Sequence, residues 1–360
     1  MMFYMPARVY AEEDCVKKHA AEICALGKKA LLVTGKTSAE KNGSLADVTA
    51  ALSENGTGFV QFNDIEENPS VETVMKARDF GLAEGADFVI GIGGGSPMDA
   101  AKAIALMMAH PEADWEFLYA EDAGQTMRPL VLIPTTCGSG SEATGISVLT
   151  RHDLRTKGSV PHKMFARLSL LDGKYLTSLP KKVLADTTTD ALCHLTESYI
   201  NTGATPYSRM CVQAGLALWQ QGKDIVSGAR EATGEDLLRL LNASALAGMA
   251  IAHTGTSLPH ALSYAVTYEA GIKHGRACAM FLPGYLEAAS KEDRDYILSG
   301  TGFADTDALR AYIENVCGKA EASPELLART VQDALHNPAK TSRAPFTVDE
   351  ALLNRLAGVA

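Results

Sequence analysis

The sequence predicts an α/β domain built on a parallel sheet, followed by an all-helical domain. Two observations predict this. In the first half, apolar runs of strand length alternate with amphipathic segments of helix length, the pattern of a parallel sheet with helices on both faces. After about Pro180, strand signals become scarce and Ala-, Leu- and Met-rich helical periodicity runs to the end. A chain of 360 residues is long for one domain, and two is the natural division. The boundary falls in LPKKVLAD, where Pro180 opens a helix, giving domains of residues 1–180 and 181–360.

In order, Lys29–Thr34 (KALLVT) reads as a short buried strand that ends at Gly35. Ser44–Glu54 reads as a helix and Gly58–Phe62 as a strand. Ser70–Glu84 is amphipathic, with Val71, Val74, Met75 and Ala77 on one side and Gly85 as its C-terminal cap. Asp87–Ile92 is a buried strand, Met98–Ala109 a helix, Leu130–Ile133 (LVLI) a strand, and ISVLT a further one. Sheets of this kind bind ligands beyond the carboxyl ends of their strands.

The net charge of −10 argues against nucleic acid and against an anionic membrane surface as partners. Seven cysteines, odd in number and without CxxC spacing, fit reduced thiols in a cytoplasmic protein. The N-terminus is too charged for a signal peptide, and no run reaches the roughly 18 apolar residues of a spanning helix.

Three loops follow strands. GIGGGSPMDAAKAIA opens a helix: Gly94 and Gly95 allow close backbone approach, Ser96 suits the N-cap, Pro97 the first helical position, and Asp99 completes a Ser-x-x-Asp box. The amides of that helix start suit a pyrophosphate. PTTCGSGSE places Thr135, Thr136 and Ser139 where hydroxyls reach nicotinamide, ribose or phosphate. In the first loop Gly35 is followed by Lys36, Ser38 and Lys41 rather than by an acid. A carboxylate there would select NAD through the ribose hydroxyls; two lysines and a hydroxyl favour the 2′-phosphate of NADP.

Asp190 and His194 stand four apart in a helical run and point from one face. His260 and His274 follow in LPHALSYAVTYEAGIKHGRA. All four lie in a stretch rich in Ala, Gly and Thr and poor in charge, where a polar group needs a partner. One carboxylate and three imidazoles make an N/O shell for a divalent transition metal. With the metal residues in one domain and the nucleotide loops in the other, the active site belongs in the cleft between them.

GGGSPMDAAKAIA, PTTCGSGSE, TTTDALCHLTESYI and PHALSYAVTYEAGIKHGRA, in this order, resemble the iron-containing alcohol dehydrogenase family over nearly the whole chain. The resemblance implies a Rossmann-like first domain, a helical second domain, and the dehydroquinate synthase-like architecture. It implies Fe(II), or Zn(II) in some relatives, held by Asp190, His194, His260 and His274. It further implies NADP(H), with NAD(H) as the alternative, and hydride transfer to or from a small aldehyde or alcohol whose oxygen the metal polarises. Lys157 matches a family lysine near the cofactor, and a homodimer or higher oligomer is expected. Many members carry another histidine four residues after the third ligand; this chain has Tyr264 there, either supplying a hydroxyl to proton movement or lining the pocket. The rival readings on the same architecture are a zinc-dependent glycerol dehydrogenase-like enzyme and a dehydroquinate synthase-like lyase. The lyase needs several basic residues for its acidic substrate, and the stretch around His260 is poor in Arg and Lys.

Overall fold

In the computed structural model, which describes residues 2–121 and 126–359, the first half forms a six-stranded sheet. Its strands are β1 (Arg8–Ala11), β2 (Lys29–Thr34), β3 (Gly58–Phe62), β4 (Phe88–Gly93), β5 (Leu130–Pro134) and, after a hairpin, β8 (Leu168–Leu171). The order across the sheet is β1-β8-β5-β4-β2-β3 and every pairing is parallel. The hairpin is β6 (Val148–Arg151) and β7 (Thr156–Ser159), an antiparallel pair outside the main sheet. The ISVLT strand is therefore part of a hairpin rather than of the parallel sheet.

The predicted strands and helices of the first half are present with boundary shifts of a few residues. β1 and β8 are not among the strands predicted from the sequence. Each has four residues, and β1 is an edge strand with partly exposed side chains; its partner lies about 160 residues away, as Arg8 opposite Leu168 shows. Short strands paired at such range leave little local signal.

Pleating explains the layering. Along β2, Ala30 and Leu32 enter one core while Leu31 and Val33 enter another, because successive side chains face opposite sides. The Val71–Ala83 and Gly95–Ala109 helices cover one face, through residues such as Val74, Ala77, Ile104 and Met107. Ser70 caps the first of these, its hydroxyl accepting from Thr73 N at 3.2 Å. The other face is covered by the Ser44–Glu54 helix and also by Leu184, Leu237 and Leu241 of the helical half. The two halves thus share a core. A third core, around Trp219, Phe281 and Tyr285, lies within the helical half alone.

Candidate functional site

A large cleft of about 1310 Å³ opens where β2, β4 and β5 end and the helical half closes over them. Gly94 and Gly95 line it, and both lie close against the second loop. A Cβ on Gly94 would stand 3.1 Å from Thr136 Oγ1, and one on Gly95 3.1 Å from Ser139. The second loop therefore packs against the bare backbone of the first, and Ser96, Thr136 and Ser139 face the cleft with them.

The capping expected at this helix start is different in the structure. The helix begins at Gly95 with Gly94 as N-cap, and no side chain caps it. Ser96 is already inside the first turn; its hydroxyl accepts from Asn68 N at 3.0 Å. Asp99 turns away from the helix start and accepts from Ser141 Oγ and, at 2.9 Å, from Val148 N. It ties the first loop to the second loop and the hairpin. Lys102, one turn on and completely buried, donates to Ser141 Oγ (2.7 Å), Thr144 Oγ1 (3.1 Å) and Ile146 O (2.6 Å). Burial lowers its pKa, opposed by the charges of Asp99 and Glu142. Lys102 reads in the sequence as an ordinary helix lysine; only its surroundings reveal the role.

The remaining nucleotide-loop residues divide. Gly35 and Ser38 line the cleft, whereas Lys36, Lys41 and Thr135 stand outside its lining. Thr135 is buried, its N–H donating to Gly93 O at 2.9 Å. Lys36 meets a carboxylate absent from its own loop: Asp64, just past β3, lies 3.3 Å from Lys36 Nζ and 3.9 Å from Lys76 Nζ. Lys157, on β7, lines the cleft and donates to Asn68 Oδ1 at 2.8 Å; burial lowers its pKa.

On the opposite wall three of the four expected ligand residues, Asp190, His260 and His274, bring their donor atoms together, and the fourth, His194, stacks on His260 outside that cluster. Asp190 and His194 lie on the Lys181–Tyr199 helix, His260 on the Leu258–Ala270 helix, and His274 begins the His274–Ala279 helix. Gly275 makes this meeting possible: a Cβ there would stand 1.9 Å from Asp186 O and 3.0 Å from Asp190 Cβ. Without a side chain, the start of the His274 helix lies directly on the Asp190 helix. His260 Nε2 is 3.6 Å from Asp190 Oδ1. The rings of His194 and His260 stack at 4.5 Å, and that of His274 meets His260 edge-on at 5.3 Å.

Hydrogen bonds behind the rings fix which nitrogen faces the cluster. His194 Nδ1 donates to Gly138 O at 3.2 Å. His260 Nδ1 donates to the Glu197 carboxylate, whose Oε1 also accepts from Ser257 N at 2.9 Å and His260 N at 3.2 Å. Both histidines thereby present Nε2 lone pairs inward. Asp190 Oδ1 and His260 Nε2 are buried without a hydrogen-bond partner, a costly arrangement unless something shared lies between them. A divalent cation fits: it satisfies both atoms at once, and a carboxylate with neutral imidazoles is its ordinary donor set.

The electrostatics differ between the rings, favouring the neutral form at His194 and His274 and the protonated form at His260 as long as no cation replaces that proton. Burial alone would raise the Asp190 pKa, but His194, His260 and His274 outweigh it and hold the carboxyl well below its usual range. Burial lowers His194 and His274, the latter helped by Lys157. Burial opposes protonation of His260 too, yet Cys278, Glu197 and Asp190 together raise it. Two further residues, not predicted from the sequence, take part. Glu197 sits seven residues after Asp190 on the same helix, a spacing that could have suggested it. Cys278 supplies a donor atom that, with those of Asp190, His260 and His274, lies within a 4.8 Å cluster; burial raises its thiol pKa.

Tyr264 stacks on His274 at 6.3 Å between centroids, and Lys340 Nζ lies 5.3 Å from its ring centre. Burial works to raise the Tyr264 pKa, but Lys340, His260 and Lys157 bring it below its ordinary value. His253, another histidine of the helical half, serves the N-terminus: it accepts from Tyr4 N at 3.0 Å and stacks on Phe3.

A parallel nucleotide sheet facing a buried Asp-His cluster across a cleft is the architecture of a metal-assisted dinucleotide oxidoreductase. The family model described as iron-containing alcohol dehydrogenase matches residues 6–173, and the C-terminal model of the same family matches residues 184–337. The chain belongs to the iron-containing alcohol dehydrogenase family and is an oxidoreductase; the family implies iron and NAD(H). It is 32% identical over 290 residues to long-chain-alcohol dehydrogenase 1 of Geobacillus thermodenitrificans, covering 78% of this chain and 72% of that one. It is 32% identical over 284 residues to the sulfoacetaldehyde reductase of Bilophila wadsworthia, covering 77% and 72%. The crystal structure of an iron-containing alcohol dehydrogenase from Thermotoga maritima superposes with a TM-score of 0.91 at 35% identity, over 99% of each chain. Among the described residues no helix is long and apolar enough to cross a membrane.

Proposed function

We propose that this chain reduces small aldehydes with NADP(H), using a divalent iron held by Asp190, His194, His260 and His274. The observation that carries the ligand set is the pair of orphaned inward atoms, Asp190 Oδ1 and His260 Nε2, with His194 and His274 beside them. His194 is preferred to Cys278 as the fourth ligand. Its Nδ1 is already engaged by Gly138, leaving a lone pair free, whereas the Cys278 thiol holds its proton more firmly than usual.

Bound iron supplies a Lewis acid for the substrate oxygen, and the nicotinamide supplies the hydride chemistry. The chain's own groups do the rest. Gly94, Gly95 and Ser96 receive phosphates at the start of the Gly95–Ala109 helix. Gly35 and Ser38 border the adenosine end, Thr136 and Ser139 hold the ribose or nicotinamide, and Lys157 faces the ligand cluster from the hairpin. Asp99 positions these loops by bonding the second loop and Val148 N. Tyr264, stacked on His274 and flanked by Lys340, offers its Oη for proton exchange with the substrate oxygen.

NADP(H) is supported by Ser38, which lines the cleft, and by the missing acid after Gly35, whereas Lys36 and Lys41 stand outside the lining. NAD(H) is the second reading, favoured by Asp64 beside Lys36. The deciding experiment is anaerobic loading with Fe(II), followed by metal analysis and an aldehyde assay with each cofactor. His194→Ala should lose the metal and turnover together, while Cys278→Ser keeps both. Full iron retention in His194→Ala, or its loss in Cys278→Ser, would overturn the ligand assignment.

A further inference from the structure

We propose that the aldehyde reduced in this cleft carries its own negative charge, received by Lys340 and Arg343. This rests on the aldehyde-reductase reading of the same cleft. The stretch around His260 is poor in basic residues, but the structure brings them there from about 80 positions later in the chain. The short Pro338–Thr341 helix lies against the cleft, and Lys340 and Arg343 line it. Lys340 Nζ donates to Thr256 Oγ1, and Arg343 Nη1 donates to Thr256 O at 2.8 Å. Both are half-buried, and neither pairs with a carboxylate among the described residues.

The acids that line the same space already have partners: Asp186 pairs with Arg276, Glu67 with Lys273, Glu269 with Arg155 and Arg329, Asp333 with Arg329 and Asp99 with Lys102, while Glu66 accepts from Ser70 and Thr73 and Asp190 faces the ligand cluster. Lys340 and Arg343 therefore form a positive wall with no ion pair among the described residues, the nearest balancing charge being that of the buried Glu197 already bonded to His260, in a chain of net charge −10. It stands one aromatic ring away from the ligand cluster: Lys340 lies over Tyr264, and Tyr264 over His274. Partly desolvated cations of this kind call for an anion. The cofactor phosphates do not meet that need, since their loops belong to the sheet half. Thr330 Oγ1, buried and without a partner, lines the cleft as well and adds a hydroxyl donor. The class of substrate is a short aldehyde with a terminal carboxylate, sulfonate or phosphate.

The test uses iron-loaded full-length protein with succinic semialdehyde and its uncharged methyl ester. The free acid should show the higher kcat/KM. The acid-to-ester ratio should fall by about tenfold or more in Lys340→Gln, the worth of one charge-assisted hydrogen bond, and be held in Lys340→Arg. Taking a ratio cancels any effect of Lys340 on Tyr264. Sulfonate- and phosphate-bearing aldehydes run alongside identify the preferred anion. Succinate should inhibit competitively against the aldehyde, and its calorimetric binding to the NADP-loaded protein should weaken in Lys340→Gln. Equal use of acid and ester, a ratio unmoved in Lys340→Gln and Arg343→Gln, or competition of succinate with NADPH instead would overturn the inference. Reduction of the ester alone leaves the reductase reading intact and defeats only this one; no turnover of either aldehyde defeats both.

Discussion

Replacing Glu197 by Gln probes the cation site without touching any ligand. The wild-type carboxylate accepts three hydrogen bonds, from His260 Nδ1, Ser257 N and His260 N. A glutamine has one acceptor oxygen. If it keeps the two backbone bonds, its NH₂ faces His260 Nδ1, which must then accept. The imidazole proton moves to Nε2, and the lone pair aimed at Asp190 disappears. If the amide flips, two buried backbone N–H groups lose their acceptor, at about 1–3 kcal/mol each. The first outcome costs less, so the tautomer should change. Loss of such a partner weakens metal affinity by about 10–100-fold, or about 1.4–2.7 kcal/mol. The assay is anaerobic competition of Fe(II) or Zn(II) between the protein and a chelator, with metal-free unfolding as a control for misfolding. A folded Glu197→Gln protein with wild-type metal affinity would refute the reasoning, and with it the claim that His260 Nε2 faces a cation.

Two other consequences concern the nucleotide side. Removing the Asp64 charge with Asp64→Asn frees Lys36 and Lys76 and should raise the NADPH-to-NADH ratio of kcat/KM by about twofold to fivefold. The pair is exposed, and such pairs are worth at most about 1 kcal/mol; an unchanged or lowered ratio would place the adenosine ribose elsewhere. Glu142 is completely buried, both its carboxylate oxygens lack a partner, and burial pushes its pKa from 4.5 up to about 7. Its folded pKa lies above its unfolded one, so its stabilising contribution is full below pH 4.5 and is lost as pH rises through about 7. Glu142→Gln should therefore gain stability relative to wild type by about 3 kcal/mol between pH 4 and pH 8. Urea unfolding of the metal-free proteins measures this, and a gap that stays flat with pH would show that Glu142 keeps its charge in the fold.

The chain's own pattern was enough for the parallel sheet, the helical second half and the family, because these rest on local periodicity and on motifs of contiguous residues. KALLVT, GFVQF, DFVIGI and LVLI carry their strand character in themselves. Asp190 and His194 share a face by helix geometry alone. What only the tertiary structure decided depends on residues distant in sequence. Gly275 lets two helices touch and so brings His274 to Asp190, Asp64 reaches Lys36 from the neighbouring strand, and β1 finds β8. Lys102 and Glu142 look like solvated charges until the loops close over them. The basic wall near His260 comes from Lys340 and Arg343, which no window around His260 contains. Periodicity reports which way a side chain faces, whereas the partner it meets is set by packing between elements, and in this protein the chemistry lies in those meetings.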